Sequence, residues 1–187
     1  VTHLTKNMGG FDYSDLQPKE MRGGRRTLLA GSCTQSIEHK KAIIVDDLVF
    51  LKAETNKPVK MTLPGPMTVV DSTNNNFYAT EQDMAFAWAT AINKEAKLLD
   101  DLGVDIIQFD EPAFSRYPEK VEKWGIEALD RCISELKCST AVHVCYGYPQ
   151  PGLLRPVNDS YETIIALLEQ SKVDQLALEF EGADLDP

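Results

Sequence analysis

Apolar segments of strand length alternate with segments of helical period through most of this chain, and that alternation restricts its fold more than any other feature. Val59 to Leu63, Val104 to Phe109, Ala141 to Cys145 and Gln175 to Phe180 read as strands. Between them lie helical stretches: Thr80 to Leu102, with Thr80 as N-cap and Gly103 just past its end, Pro118 to Lys137, with Pro118 in its first turn, and Ser160 to Ser171. A shorter helix, Asp46 to Thr55, precedes the first strand, which runs into a Pro64-Gly65-Pro66 turn. Met84, Trp88, Ala91, Ile92, Leu98, Leu99 and Leu102 form the apolar stripe of one long helix. Val121, Trp124, Ala128, Leu129, Cys132, Ile133 and Leu136 form that of the next.

Such alternation gives a parallel sheet with helical crossovers, since antiparallel neighbours need only short turns. Parallel strands either stay an open doubly wound sheet or close into an eight-fold barrel. The chain has 187 residues, roughly three quarters of the length that a typical barrel takes. It starts at Val1 without a Met and stops at Pro187 directly after an apolar segment. The expectation is an α/β fold of the TIM (β/α)8 type, an incomplete portion of one barrel spanning residues 1–187 as a single domain. The first forty residues are less regular: Gly9-Gly10 and Arg22-Gly23-Gly24-Arg25-Arg26 read as loops around a short apolar run, Thr27 to Ala30.

Composition narrows the partners. Hydrophobic residues make up 43% and charged residues 26%, as in soluble globular chains. Lys and Arg total 19 against 29 Asp and Glu, a net charge of −10 that repels phosphate backbones and anionic headgroups. Nucleic acid and membrane are therefore excluded as expected partners. No apolar run approaches the roughly 18 residues of a membrane span. The four cysteines, Cys33, Cys132, Cys138 and Cys145, form no dense framework, and reduced thiols in a cytoplasmic protein are expected.

Side chains alternate across a strand, so each strand can be divided into two faces. Val59, Met61 and Leu63 oppose Lys60 and Thr62; Ile107 and Phe109 oppose Gln108 and Asp110; Val142 and Val144 oppose His143 and Cys145; Leu176, Leu178 and Phe180 oppose Gln175, Ala177 and Glu179. One face suits packing under helices. The other becomes polar towards the C-terminal strand ends, where barrel enzymes place their active sites. Three consecutive strands end in Asp110-Glu111, His143-x-Cys145 and Glu179.

His143 and Cys145 project to one side of their strand, roughly 6–7 Å apart at the backbone. Imidazole, thiolate and carboxylate are all zinc ligands, and a catalytic zinc commonly takes three protein ligands and one exchangeable position. Two readings stay open from the residues alone: a zinc site of His143, Cys145 and Glu179, or a buried histidine bonded to a carbonyl beside a buried thiol. Cys132 and both tryptophans lie on apolar stripes and read as core. Cys138 has no evident partner, His3 and His39 read as solvated, and the Arg22–Arg26 cluster reads as a solvated loop.

Three segments carry a family resemblance. Lys57-Pro-Val-Lys-Met-Thr-Leu-Pro-Gly-Pro-Met-Thr68, Ile106-Ile-Gln-Phe-Asp-Glu-Pro-Ala-Phe114 and His143-Val-Cys-Tyr146 resemble the catalytic barrel of cobalamin-independent methionine synthases, above all the short single-barrel members. The likeness runs from about Val45 to Phe180 and includes the Trp124-Gly125 pair. It implies methyl transfer from a methylated folate to the sulfur of homocysteine, with zinc as cofactor. The family's metal ligands map to His143, Cys145 and Glu179, with a further Cys downstream of Pro187, as is the proton-donating His. Substrate binding maps to Asp110 and Glu111, with Asp110 at the carboxylate that meets the homocysteine amino group.

The chain also departs from the family pattern. The Tyr148 to Asn158 stretch is longer than usual, Arg116 stands where the large enzymes carry a folate-contacting Glu, and the first strand with its substrate-contacting loop is expected to be missing. Related alternatives are a zinc-dependent thiol alkyltransferase of the coenzyme M type, a methyl donor supplied by a partner protein, and a metal-free barrel that binds a small molecule.

Overall fold

The computed structural model describes residues 1–21, 23–24, 26–147, 157 and 160–185. A short helix α1 (Thr2–Asn7) leads into a long hairpin of β1 (Gly9–Met21) and β2 (Arg26–Glu38), followed by α2 (Val45–Glu54), β3 (Lys60–Pro64), α3 (Pro66–Ser72) and the two-residue β4 (Asn74–Asn75). Then come α4 (Glu81–Asp101), β5 (Ile106–Asp110), α5 (Pro118–Lys120), a π-helical turn (Val121–Gly125), α6 (Ile126–Ile133), β6 (Ser139–Val144), α7 (Ser160–Leu168) and β7 (Gln175–Leu178).

The expected strands pair as the alternation requires. They form one parallel sheet in the order β3-β5-β6-β7. Leu63, Ile107, Phe109, Val142 and Val144 are all fully buried on the helix-covered face. This is a portion of an α/β barrel wall. Its outermost strand is less covered: Leu176 of β7, expected under helices, is 41% exposed. Leu98 and Leu102, placed on the apolar stripe of α4 by their spacing, are also exposed, whereas Leu99 between them is fully buried.

Capping follows the sequence signals. The Thr80 hydroxyl accepts the Asp83 N–H at 3.1 Å and opens α4, while Gly103 adopts φ +72° just past its end. Lys52 of α2 donates to the carbonyls of Leu102 and Gly103 at 2.8 and 2.7 Å, satisfying acceptors that the helix end leaves free. In the core, the Trp88 indole donates to the Pro64 carbonyl at 3.1 Å and so ties α4 to the end of β3.

Four local expectations are corrected. The Pro64-Gly65-Pro66 turn opens a helix, α3, with Pro66 in its first turn, where its missing N–H costs nothing. The Pro118–Lys137 helix is interrupted by the π turn and stops at Ile133; Asn93 of α4 holds the carbonyls of Cys132 and Ser134 at 2.8 and 2.9 Å, and Glu135 turns to φ +63°. Gly9-Gly10 belongs to β1, with Gly10 at φ +99°. His39 is not solvated: it bonds at 2.5 Å to Glu95, whose buried side chain also accepts the N–H groups of Ile43 and Ile44 and holds the segment that leads into α2.

Cys132 and both tryptophans lie in the core as their spacing indicates. Cys138 is half-buried, and its backbone N–H donates to Asp100 at 2.8 Å. The hairpin lies over α3 and α4, with Phe11 edge-on to Trp88 at 5.9 Å. Near its tip the Gly23 N–H donates to the Tyr117 hydroxyl, which in turn donates to Asp71, each at 2.8 Å. Arg22 and Arg25 of the basic cluster, and most of the Tyr148–Asn158 stretch, lie outside the described residues. Among the described residues, no helix is long and apolar enough to cross a membrane.

Candidate active site at the C-terminal strand ends

Parallel register brings the polar strand ends into rows. Pro64, Asp110, His143 and Ala177 are successive partners across β3, β5, β6 and β7. The ladder continues past the strands, from the Gly65 N–H to the Asp110 carbonyl at 2.9 Å, from Glu111 to His143 at 2.8 Å and from Glu179 to Val144 at 3.3 Å. Asp110 and His143 are therefore neighbours in one row, and Cys145 and Glu179 occupy the next row on the same face. Strand alternation alone puts all four of these groups on that face.

His143 Nδ1 lies 2.9 Å from the Ala177 carbonyl. A carbonyl only accepts, so Nδ1 carries the proton and Nε2 keeps its lone pair. This is the arrangement in which a backbone oxygen orients a metal-binding imidazole. The ring also hydrogen-bonds the Cys145 side chain, and that contact is the main reason its pKa rises above the ordinary value, ahead of the opposing effect of burial. Burial pushes the Cys145 thiol up, but the His143 contact and the Gly147 N–H, 3.4 Å from Sγ, together bring it below the ordinary value. The Glu179 carboxylate accepts the Tyr146 N–H at 3.0 Å.

An imidazole oriented through Nδ1 by a backbone carbonyl, a thiol held towards its ionised form and a carboxylate in the same row are a donor set that suits zinc. Among the described residues, no three His, Cys, Asp or Glu side chains stand close enough together to hold an ion as they are.

Asp110 accepts the side-chain amide of Gln108 at 2.8 Å and stays partly exposed on the inner face. Glu111 lies differently. It is fully enclosed, and its carboxylate accepts the Met67 N–H, the Thr68 N–H and the Thr68 hydroxyl at 2.9, 2.9 and 2.8 Å. Burial raises its pKa to about 8 against the pull of those donors. Gly65 makes this packing possible, since a Cβ there would meet Glu111 Cδ at 2.3 Å.

Sequence reasoning missed the residues that hold the strand ends. Ser115, in a 3-10 turn after β5, donates to the Cys145 carbonyl at 2.7 Å. Tyr161, near the start of α7, donates to the Val144 carbonyl at 2.9 Å and accepts the Glu179 N–H at 3.2 Å. Neither carries a local signal, because both act on backbone groups distant in the sequence. Arg116 donates to the Pro112 carbonyl at 2.8 Å and lies 3.7 Å from Asp71.

A family model described as the catalytic domain of cobalamin-independent synthase matches residues 1–185. A methionine synthase of Sulfurisphaera tokodaii is 32% identical over 157 residues, covering 83% of this chain and 43% of that protein. One from Pyrococcus horikoshii is 27% identical over 179 residues, covering 95% of this chain and 48% of that protein. The chain thus spans less than half the length of these curated relatives. The solved structure of a B12-independent methionine synthase from Shewanella sp. W3-18-1, in complex with selenomethionine, superposes with a TM-score of 0.91 at 35% identity, over 100% of this chain and 56% of that one.

Proposed function

The chain belongs to the cobalamin-independent methionine synthase family, within its catalytic domain, and on that premise we propose that its strand ends serve a zinc-dependent transfer of a methyl group from a methylated folate to the thiol of homocysteine. The observation that carries the proposal is the pair of adjacent rows on one face, Asp110 beside His143 and then Cys145 beside Glu179. The Shewanella relative was solved in complex with selenomethionine, the selenium analogue of the proposed product, which supports an amino acid of this kind as ligand.

His143 Nε2, the Cys145 sulfur and the Glu179 carboxylate would hold the metal. Bound zinc supplies the charge that keeps a thiol, with an ordinary pKa near 8.5, ionised and nucleophilic at neutral pH. Asp110 takes the ammonium of the amino acid and fixes its orientation, and Gln108 holds the Asp110 carboxylate from the side. Glu111 acts one step back, keeping the Gly65–Thr68 segment against β5. A cytoplasmic setting, in which the four unpaired thiols stay reduced, belongs to the same proposal.

The test is metal content by mass spectrometry on protein purified without chelators, alongside Cys145→Ser and Glu179→Gln, followed by homocysteine titration. About one zinc per chain is expected in the parent, with clearly less in both variants. Homocysteine should perturb the parent's metal and not that of Asp110→Asn at the same concentration. Full zinc in Cys145→Ser would overturn the assignment.

A further inference from the structure

We infer that Tyr161 is a positioning residue that sets where Cys145 and Glu179 stand relative to each other; the inference rests on the zinc reading above. Its side chain is nearly enclosed, at 7% exposure. The hydroxyl donates to the Val144 carbonyl and accepts the Glu179 N–H, so it bridges the last rung between β6 and β7. That rung is also closed by a direct bond from Glu179 N–H to Val144 O at 3.3 Å, near the long end of the normal range.

The ring grips the other side of each proposed ligand. It stacks on Tyr146 at 4.7 Å and 25°, and meets Phe180 edge-on at 6.0 Å. Tyr161 therefore touches the residue before Cys145, the residue after it, Glu179 itself and the residue after that.

Packing alone does not call for the hydroxyl, because phenylalanine would fill the same space and keep the ring contacts. What the oxygen adds is a fixed distance between two strand ends beyond which the ladder gives no further register. Metal ligands need placement to within a few tenths of an ångström, and groups that orient ligands through one hydrogen bond change metal affinity by about 10- to 100-fold when removed. Ser115 pins the carbonyl of Cys145 from the β5 side, so Tyr161 is the matching hold from the β7 side.

The experiment compares parent, Tyr161→Phe and Cys145→Ser in zinc affinity by chelator competition and in the absorption spectrum of the cobalt(II)-loaded chain. Amide exchange at Glu179 is measured in the metal-free state. Tyr161→Phe should bind zinc about tenfold more weakly, shift the cobalt ligand-field bands and exchange the Glu179 amide faster, with its melting temperature close to the parent's. Tyr161→Trp, which keeps an aromatic ring and a donor N–H in a different place, should not restore the parent spectrum. Parent-like affinity and spectrum in Tyr161→Phe, with Cys145→Ser metal-free, would overturn this inference alone. A parent that takes up no metal would overturn the zinc reading and this inference with it.

Discussion

Gly65→Ala isolates one contact on which the edge of the site depends. Gly65 has φ −74° and ψ 163°, a conformation that alanine adopts freely, so the backbone contributes no strain. The cost comes from the added methyl, which would lie 2.3 Å from Glu111 Cδ and 2.4 Å from both Cγ and Oε1. About 1 Å must open to reach ordinary contact. If the backbone moves, overpacking of this kind costs about 1–3 kcal/mol. If the carboxyl group withdraws instead, it loses bonds from Met67 and Thr68, each worth about 0.5–1.5 kcal/mol for a carboxyl that holds its proton up to about 8.

Either route gives a loss of about 2 kcal/mol, or about 4–8 °C in melting temperature for a chain of this length. Urea unfolding measures it as a lower midpoint at unchanged slope. The same substitution in a Glu111→Ala background removes the clashing group, and its cost should fall to a small fraction of the single-variant value. A loss below about 1 kcal/mol in the parent background, or an equal loss in both backgrounds, would refute the packing argument.

Two further outcomes follow from the buried carboxyls. Glu111 binds its proton more tightly folded, at about 8, than its ordinary carboxyl value of 4.5. Its contribution is therefore fully present below 4.5 and is lost as pH rises towards and past 8; stability measured across that window should decline in the parent and flatten in Glu111→Gln. Glu95→Ala strands the buried N–H groups of Ile43 and Ile44 and the ring of His39, and should cost about 3–5 kcal/mol by urea unfolding; a cost under about 1 kcal/mol would show that Glu95 does not hold the start of α2.

The sequence by itself determined the parallel sheet, the strand faces and the four groups at the strand ends. Those properties rest on period-two and helical spacing, which are local: once Val142 and Val144 pack under helices, His143 and Cys145 have to point inwards. It also determined the caps at Thr80 and Gly103, since each acts within one turn of its own helix. The tertiary structure decided the rest. Glu111 and Asp110 are adjacent in sequence and look alike there, yet one is sealed against α3 and the other lies open to the inner face. His39 became a buried partner because Glu95, 56 positions away, needed donors. Tyr161 and Ser115 reached the Cys145 segment only through the return of α7 and the β5 loop. Burial and long-range hydrogen bonds depend on which segments meet in space, and no local pattern in the chain encodes that meeting.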